Sequence, residues 1–95
     1  MSYLCVFRRS PHETEWETFL QGLSGGKGAL LIEDGTYFLK PPTVFKGLSD
    51  ECEKIYALER DLEARGLSAP EGVEVVDFSE AIDLIMDKYD KMISW

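Results

Sequence analysis

Short apolar runs alternate along the chain with segments of helical periodicity. Residues 3–7 form a bulky, continuous apolar run, which is typical of a strand buried on both faces. Residues 29–32 have the same character and predict a second buried strand. Residues 54–58 and 73–76 are predicted as the third and fourth strands, and residues 93–95 as a short edge strand.

Two helices carry start signals in the sequence. Ser10 and Glu13 flank Pro11 with the spacing of a capping box, which predicts that a first helix begins at Pro11. Asp77 and Glu80 form a second capping box ahead of the last helix. Apolar residues with helical spacing predict one apolar face for each helix. They are Trp16, Phe19, Leu20 and Leu23 in the first helix, and Phe78, Ile82, Ile85 and Tyr89 in the last.

The middle of the chain gives weaker signals. Residues 36–39 fit either a short strand or a helical turn, and Pro41 and Pro42 then impose a loop before a helical segment at 43–52. Residues 60–65 are predicted as a short helix that stops at Gly66.

Strands that alternate with helices predict right-handed crossovers and a mostly parallel sheet covered on both sides. The 95 residues, 44% of them hydrophobic, suffice for one core. We therefore expect residues 1–95 to form a single three-layer α/β domain with a four- or five-stranded, Rossmann-like sheet.

Charge and apolar run lengths restrict the function further. The net charge is -8 and the pI is near 4.5, which disfavours direct binding to nucleic acid. No apolar run approaches the roughly 20 residues that cross a bilayer, and arginines follow the first apolar run, the wrong order for a secretory signal. We expect a cytoplasmic protein without membrane contact, whose two cysteines are free thiols.

Five segments in order resemble the DsrH/TusB family, a branch of the DsrE-like group. They are Ser10-Pro11 after the first strand, LLIEDGTY at 30–37, IYALERDLEARGL at 55–67, VEVVDFSEAIDL at 73–84 and the terminal Ser94-Trp95. The resemblance implies a DsrE-like fold and a role in passing persulfide sulfur, either toward 2-thiouridine at the tRNA wobble position or in sulfur oxidation.

The resemblance also implies a hetero-oligomer with sister DsrE-like and DsrF-like (TusD/TusC-like) subunits, with a homodimer as the alternative assembly. In that group the principal sulfur-carrying cysteine belongs to the DsrE-like sister. Some family members have a cysteine in the first helix, but residues 12–23 of this chain contain none. The chain is therefore expected to be an accessory subunit rather than a complete enzyme.

Candidate chemistry within the chain is sparse. Cys5 lies mid-strand and is expected to be a buried structural residue. Cys52 is the remote candidate for sulfur transfer, although the acidic residues around it would raise its pKa. His12 lacks an indicated catalytic partner, and two cysteines with one histidine leave a zinc tetrahedron incomplete. No metal and no cofactor are predicted.

Binding or interface residues are predicted at the turn after the second strand and at two later positions. These residues are Asp34, Gly35, Tyr37, Arg65 and Trp95. Arg65 fits either a helix-dipole contact or an anion contact, and Trp95 fits either a partner's pocket or the chain's own core. Two rival functions remain: a self-sufficient sulfurtransferase that uses Cys52, and a homo-oligomeric domain that binds a small ligand.

Overall fold

A five-stranded parallel sheet forms the centre of the computed structural model, which describes residues 2–12 and 15–95. The strand order is β4-β3-β2-β1-β5. The strands are β1 (Ser2–Phe7), β2 (Gly26–Leu31), β3 (Lys54–Leu58), β4 (Val73–Val76) and β5 (Lys91–Ser94). The helices are α1 (Trp16–Gln21), a 3₁₀ helix (Glu33–Leu39), α2 (Pro42–Glu51), α3 (Glu59–Ala64), α4 (Phe78–Asp83) and a π-helical turn (Leu84–Lys88) that continues α4.

The topology confirms the predicted α/β class with a Rossmann-like parallel sheet. Each of the four strand pairings is parallel, and β5 returns across the sheet to pair with β1. Parallel neighbours require crossover connections, which the helices supply. The sheet is thus wholly parallel over the described strands, with the carboxyl ends of all five at one edge.

Alternate residues of the central strands supply two separate cores, because successive side chains of a strand point to opposite faces. On one face, Cys5 and Phe7 of β1 pack with residues of α1, α2, α3 and the 3₁₀ helix. On the other face, Leu4 and Val6 pack with residues of α4 and the π-helical turn. The apolar strands are buried on both sides, as their continuous apolar runs predict.

The first helix begins later than predicted. Its first residue is Trp16, and the preceding Glu15 has a left-handed backbone with φ of 79°, which a helix cannot continue through. The Ser10 hydroxyl accepts the His12 amide at 3.3 Å in a local turn, so it does not cap a helix at Pro11. The predicted capping partner Glu13 lies outside the described residues.

The middle segments take the helical option. Residues 36–39 belong to the 3₁₀ helix, and the helix predicted at 43–52 is α2. The predicted stop of α3 at Gly66 is confirmed: Gly66 has φ of 64°, its amide donates to the Glu63 carbonyl at 3.2 Å, and the Leu67 amide donates to the Leu62 carbonyl at 2.9 Å. This pair of hydrogen bonds is a Schellman cap.

The last helix confirms its predicted cap and part of its predicted apolar face, since Ile85 and Tyr89 are partly buried against the core. The Glu80 amide donates to the Asp77 carboxylate at 2.8 Å, and the Glu80 carboxylate accepts the Asp77 amide at 2.9 Å. Phe78 and Ile82, predicted to be buried, are 64% and 42% exposed. The residues buried against the sheet include Ala81 and Leu84, because a small side chain at position 81 permits a close approach of the helix.

Candidate functional site

The polar residues that follow β2 and β3 meet at the carboxyl edge of the sheet. Asp34 follows β2, while Asp61 and Arg65 belong to α3 and its cap, directly after β3. The Arg65 Nε and Nη2 atoms donate to Asp34 Oδ1 at 3.1 and 3.0 Å. The Arg65 Nη1 atom donates to the Asp61 carbonyl oxygen at 3.2 Å and lies 3.8 Å from Asp61 Oδ1. We call Asp34, Asp61 and Arg65 the carboxyl-edge cluster.

Asp61 connects this cluster to the backbone of the 3₁₀ helix. Its Oδ2 atom accepts the Glu33 amide at 2.7 Å. Glu33 has a left-handed backbone with φ of 50°, which is unfavourable for a residue with a Cβ atom. The hydrogen bond to a carboxylate offsets part of that strain. The sequence prediction missed Asp61, since an acidic residue in the first turn of a helix is common and points to no partner.

Gly35 has a steric role at the same edge. It is buried, its amide donates to the Ile32 carbonyl at 2.8 Å, and a Cβ atom at this position would collide with the Phe7 carbonyl group. The neighbouring Thr36 is 0% exposed, and its hydroxyl donates to the Glu33 carbonyl at 2.8 Å. Absence of a side chain at position 35 therefore lets the 3₁₀ helix pack directly on β1.

The two predicted aromatic residues lie in different environments. Tyr37 is partly exposed on the 3₁₀ helix. Trp95 packs on its own core, with its ring centroid 5.7 Å from that of Phe7 and 6.1 Å from that of Phe38. The Arg9 guanidinium lies 4.4 Å from the centroid of the Trp95 ring, close enough for a cation–π contact. Trp95 remains half-buried, so part of its ring is accessible.

Both cysteines are buried on one face of the sheet. Cys5 is 0% exposed and Cys52 is 6% exposed. Burial raises the pKa of Cys5 to about 11. Burial also raises the pKa of Cys52 to about 12, and the nearby Cys5 thiol adds a smaller increase. Loss of hydration, more than the acidic residues around Cys52, therefore keeps its thiol protonated.

Cys52 is also distant in the fold from the carboxyl-edge cluster. It precedes β3 and so lies at the amino edge of the sheet, whereas Asp34 and Arg65 lie beyond the carboxyl ends of β2 and β3. The structure joins Asp34, Gly35 and Arg65 but not Cys52. Over residues 2–12 and 15–95, no group of three or more His, Cys, Asp or Glu residues has the geometry to hold a metal ion. No helix within the same residues is long and apolar enough to span a membrane.

We expect Asp61→Ala to destabilise the fold by about 1–2 kcal/mol, because Glu33 loses its charge-assisted acceptor while keeping its strained backbone. The control is Asp34→Ala. Asp34 is 60% exposed, so its ion pair with Arg65 is screened by water and its loss costs less than about 1 kcal/mol. Urea denaturation of both variants measures the difference, and equal losses would contradict the role assigned to Asp61.

Raised thiol pKa values also predict a loss of stability in alkali. In the unfolded chain the thiols ionise near the ordinary value of 9.0, while in the folded chain they keep their protons to about pH 11 and 12. The contribution of the two thiols to the free energy of unfolding is therefore fully present below pH 9.0 and decreases as the pH rises toward 12. Urea denaturation at a series of pH values from 8 upward measures the free energy of unfolding. It should decrease less with pH for Cys52→Ala than for the parent chain. Equal decreases for the two chains would contradict the raised pKa of Cys52.

The protein is a parallel-sheet α/β fold in which the carboxyl-edge cluster holds the backbone of the 3₁₀ helix in place. It resembles the solution NMR structure of protein Tm0979 from Thermotoga maritima, with a TM-score of 0.62 and 22% identity, over 90% of this chain and 93% of that one.

Sequence relatives identify the family. The profile described as DsrH like protein matches residues 9–91. Protein TusB from Escherichia coli is 30% identical over 97% of this chain and 99% of the relative. Protein TusB from Photorhabdus laumondii is 28% identical over 92% of this chain and 94% of the relative. The chain belongs to the DsrH/TusB family, as the five sequence segments predict.

Proposed function

We propose that this chain is an accessory subunit of a sulfur-relay complex and that the sulfur is carried by a cysteine of a sister subunit. The burial of both thiols supports this proposal. A persulfide carrier needs an accessible thiol with a lowered pKa, since the thiolate is the nucleophile. Cys5 and Cys52 have the opposite properties, with little exposure and raised pKa values.

The sister subunits in this proposal are DsrE-like and DsrF-like (TusD/TusC-like) chains in a hetero-oligomer. The final acceptor is the wobble uridine of tRNA, the branch favoured by relatives that carry the name TusB. The net charge of -8 assigns the RNA contact to a partner, because phosphate groups attract basic surfaces. The chain needs neither cofactor nor metal for this role.

At the carboxyl edge, we assign contact with a partner to the exposed parts of Tyr37 and Trp95. Arg65 and Asp34 hold the turn that carries Tyr37, through two hydrogen bonds to the same carboxylate oxygen. Gly35 allows that turn to pack on β1. In this arrangement three of the predicted binding residues act by positioning the backbone, and the two aromatic residues supply contact area.

Sulfur loading of the native complex tests the proposal. The complex, purified from its host through a tag on this chain, is incubated with a cysteine desulfurase and cysteine, and each intact subunit is weighed by mass spectrometry. We expect one added sulfur atom on the DsrE-like subunit and none on this chain. A sulfur adduct on this chain that disappears in Cys52→Ser would establish the rival sulfurtransferase function.

Recovery of the chain tests the assembly. Co-elution with both sister subunits is the expected result. Recovery only as a monomer would contradict the accessory role, and recovery only as a self-associated species would favour the ligand-binding domain.

A further inference from the structure

One flank of the last helix exposes large apolar side chains. Phe78, Ile82 and Met86 are 64%, 42% and 72% exposed. They are spaced four residues apart, which places them along one side of α4 and its π-helical continuation. We call these three residues the apolar stripe. A row of this kind on the surface of a soluble domain is typical of a protein-binding face.

A residue of β5 lies on the same side of the sheet. Met92 pairs in register with Leu4, whose side chain belongs to the core beneath α4, so both point to this face. Met92 is 49% exposed. Among the described residues, the helical side chains that cover this core come from α4 and the π-helical turn. The face therefore has one helix as its cover and leaves apolar groups accessible.

The opposite flank of the same helix is acidic. Glu80, Asp83 and Asp87 line a cavity of about 410 Å³ together with Glu74 on the edge strand β4. The remaining lining residues are Val76, Leu84 and Lys88. The Lys88 ammonium lies 6.0 Å from the centroid of the Tyr56 ring. Four carboxylates with a single ammonium give the cavity a negative rim above an apolar floor.

We propose that the apolar stripe and the acidic cavity form one docking face for a protein chain of complementary chemistry, with an apolar patch beside a lysine or arginine. This inference rests on the proposed function and assigns the face to a sister subunit. The apolar patch covers the stripe, and the basic side chain enters the cavity, where its alkyl stem contacts the floor and its charge meets the carboxylates.

The charge pattern separates this partner from two other occupants. A second copy of the chain brings the same acidic flank and a net charge of -8, so self-association through this face places like charges together. An anionic membrane surface meets the same repulsion. A protein surface with an apolar patch beside a basic side chain is complementary to both the apolar stripe and the acidic cavity.

Titration of the purified chain with each purified sister subunit tests the docking face. Ile82→Glu places a charge in the centre of the stripe, and we expect roughly 30-fold weaker binding to one sister, the loss typical of a central interface residue. The matched control is Val75→Glu. Val75 is 40% exposed and lies on the opposite side of the sheet from Val76, so its variant should bind within about twofold of the parent.

The charge of the partner is tested separately. Reversal of Asp83 and Asp87 to lysine should weaken binding and reduce the gain in affinity that the parent chain shows at low salt. Circular dichroism melting shows whether each variant is folded. If Ile82→Glu melts like the parent chain and binds the sister subunits with unchanged affinity, the proposed docking face is wrong.

Other outcomes are distinguishable. Failure of the parent chain to bind either sister contradicts the proposed function itself. Concentration-dependent self-association that Ile82→Glu abolishes assigns the face to a second copy and overturns the inference. If the parent chain binds anionic vesicles and Ile82→Glu abolishes that binding, the face is a membrane-binding surface and the inference is likewise overturned.

Discussion

Gly35→Ala should be among the most damaging single substitutions in this chain, with an expected loss of about 3 kcal/mol or more of unfolding free energy. The added Cβ atom would meet the carbonyl group of Phe7, a backbone group in the buried part of β1. A flexible side chain could rotate away from such a contact, but a strand backbone cannot. The 3₁₀ helix would have to lift from the sheet and expose core residues such as Phe38.

Gly66→Ala is the matched control for this prediction. Gly66 has a left-handed backbone, yet no atom lies within 4 Å of an added Cβ there. Its cost is the conformational strain alone, about 1 kcal/mol. Urea denaturation of both variants checks the ranking. A smaller loss for Gly35→Ala than for Gly66→Ala would contradict the close packing of the 3₁₀ helix on β1.

Phe38→Ala should cost about 3–5 kcal/mol, because it removes a fully buried ring from the middle of an aromatic cluster. The ring centroid of Phe38 lies 4.9 Å from that of Phe7, 5.1 Å from that of Trp16 and 6.1 Å from that of Trp95. The substitution leaves a cavity lined by three rings that come from separate parts of the chain. Both tryptophans should therefore change their fluorescence in the folded state.

Phe78→Ala provides the control with the same chemical change. Phe78 is 64% exposed, so its truncation should alter stability by no more than about 0.5 kcal/mol. Unfolding followed by tryptophan fluorescence measures both variants. Similar losses for the two would mean that the aromatic cluster contributes less than its burial indicates.

The two substitutions illustrate which features a sequence can predict. Phe38 lies in a segment that the apolar pattern left open between strand and helix, so its central place in the core was not foreseen. Phe78 was predicted to be buried because it continues a helical apolar stripe, and it is exposed. Periodicity shows that one side of a helix is apolar, but the orientation of that side depends on the shape of the surface it packs against.

Prediction of the candidate site was similarly divided. Asp34, Gly35 and Arg65 were selected from a turn signal, a helix stop and a family resemblance, and the structure brings them together at one edge. Asp34, which pairs with Arg65, lies 31 residues away from it, and no local pattern encodes this pairing. The strained backbone of Glu33 and its hydrogen bond to Asp61 were missed for the same reason.

The amino-acid sequence was sufficient to predict the positions of the strands, the helix caps at Gly66 and Asp77, the acidic charge and the family. These features depend on backbone hydrogen bonds and side-chain directions within a few residues, so local composition encodes them. Four features could be seen only in the folded chain: the later start of α1, the burial of Cys52, the contact of Gly35 with β1 and the exposed apolar stripe. Each of these depends on atoms distant in the sequence that meet when the sheet and helices pack, and packing selects among faces that the local pattern leaves equivalent.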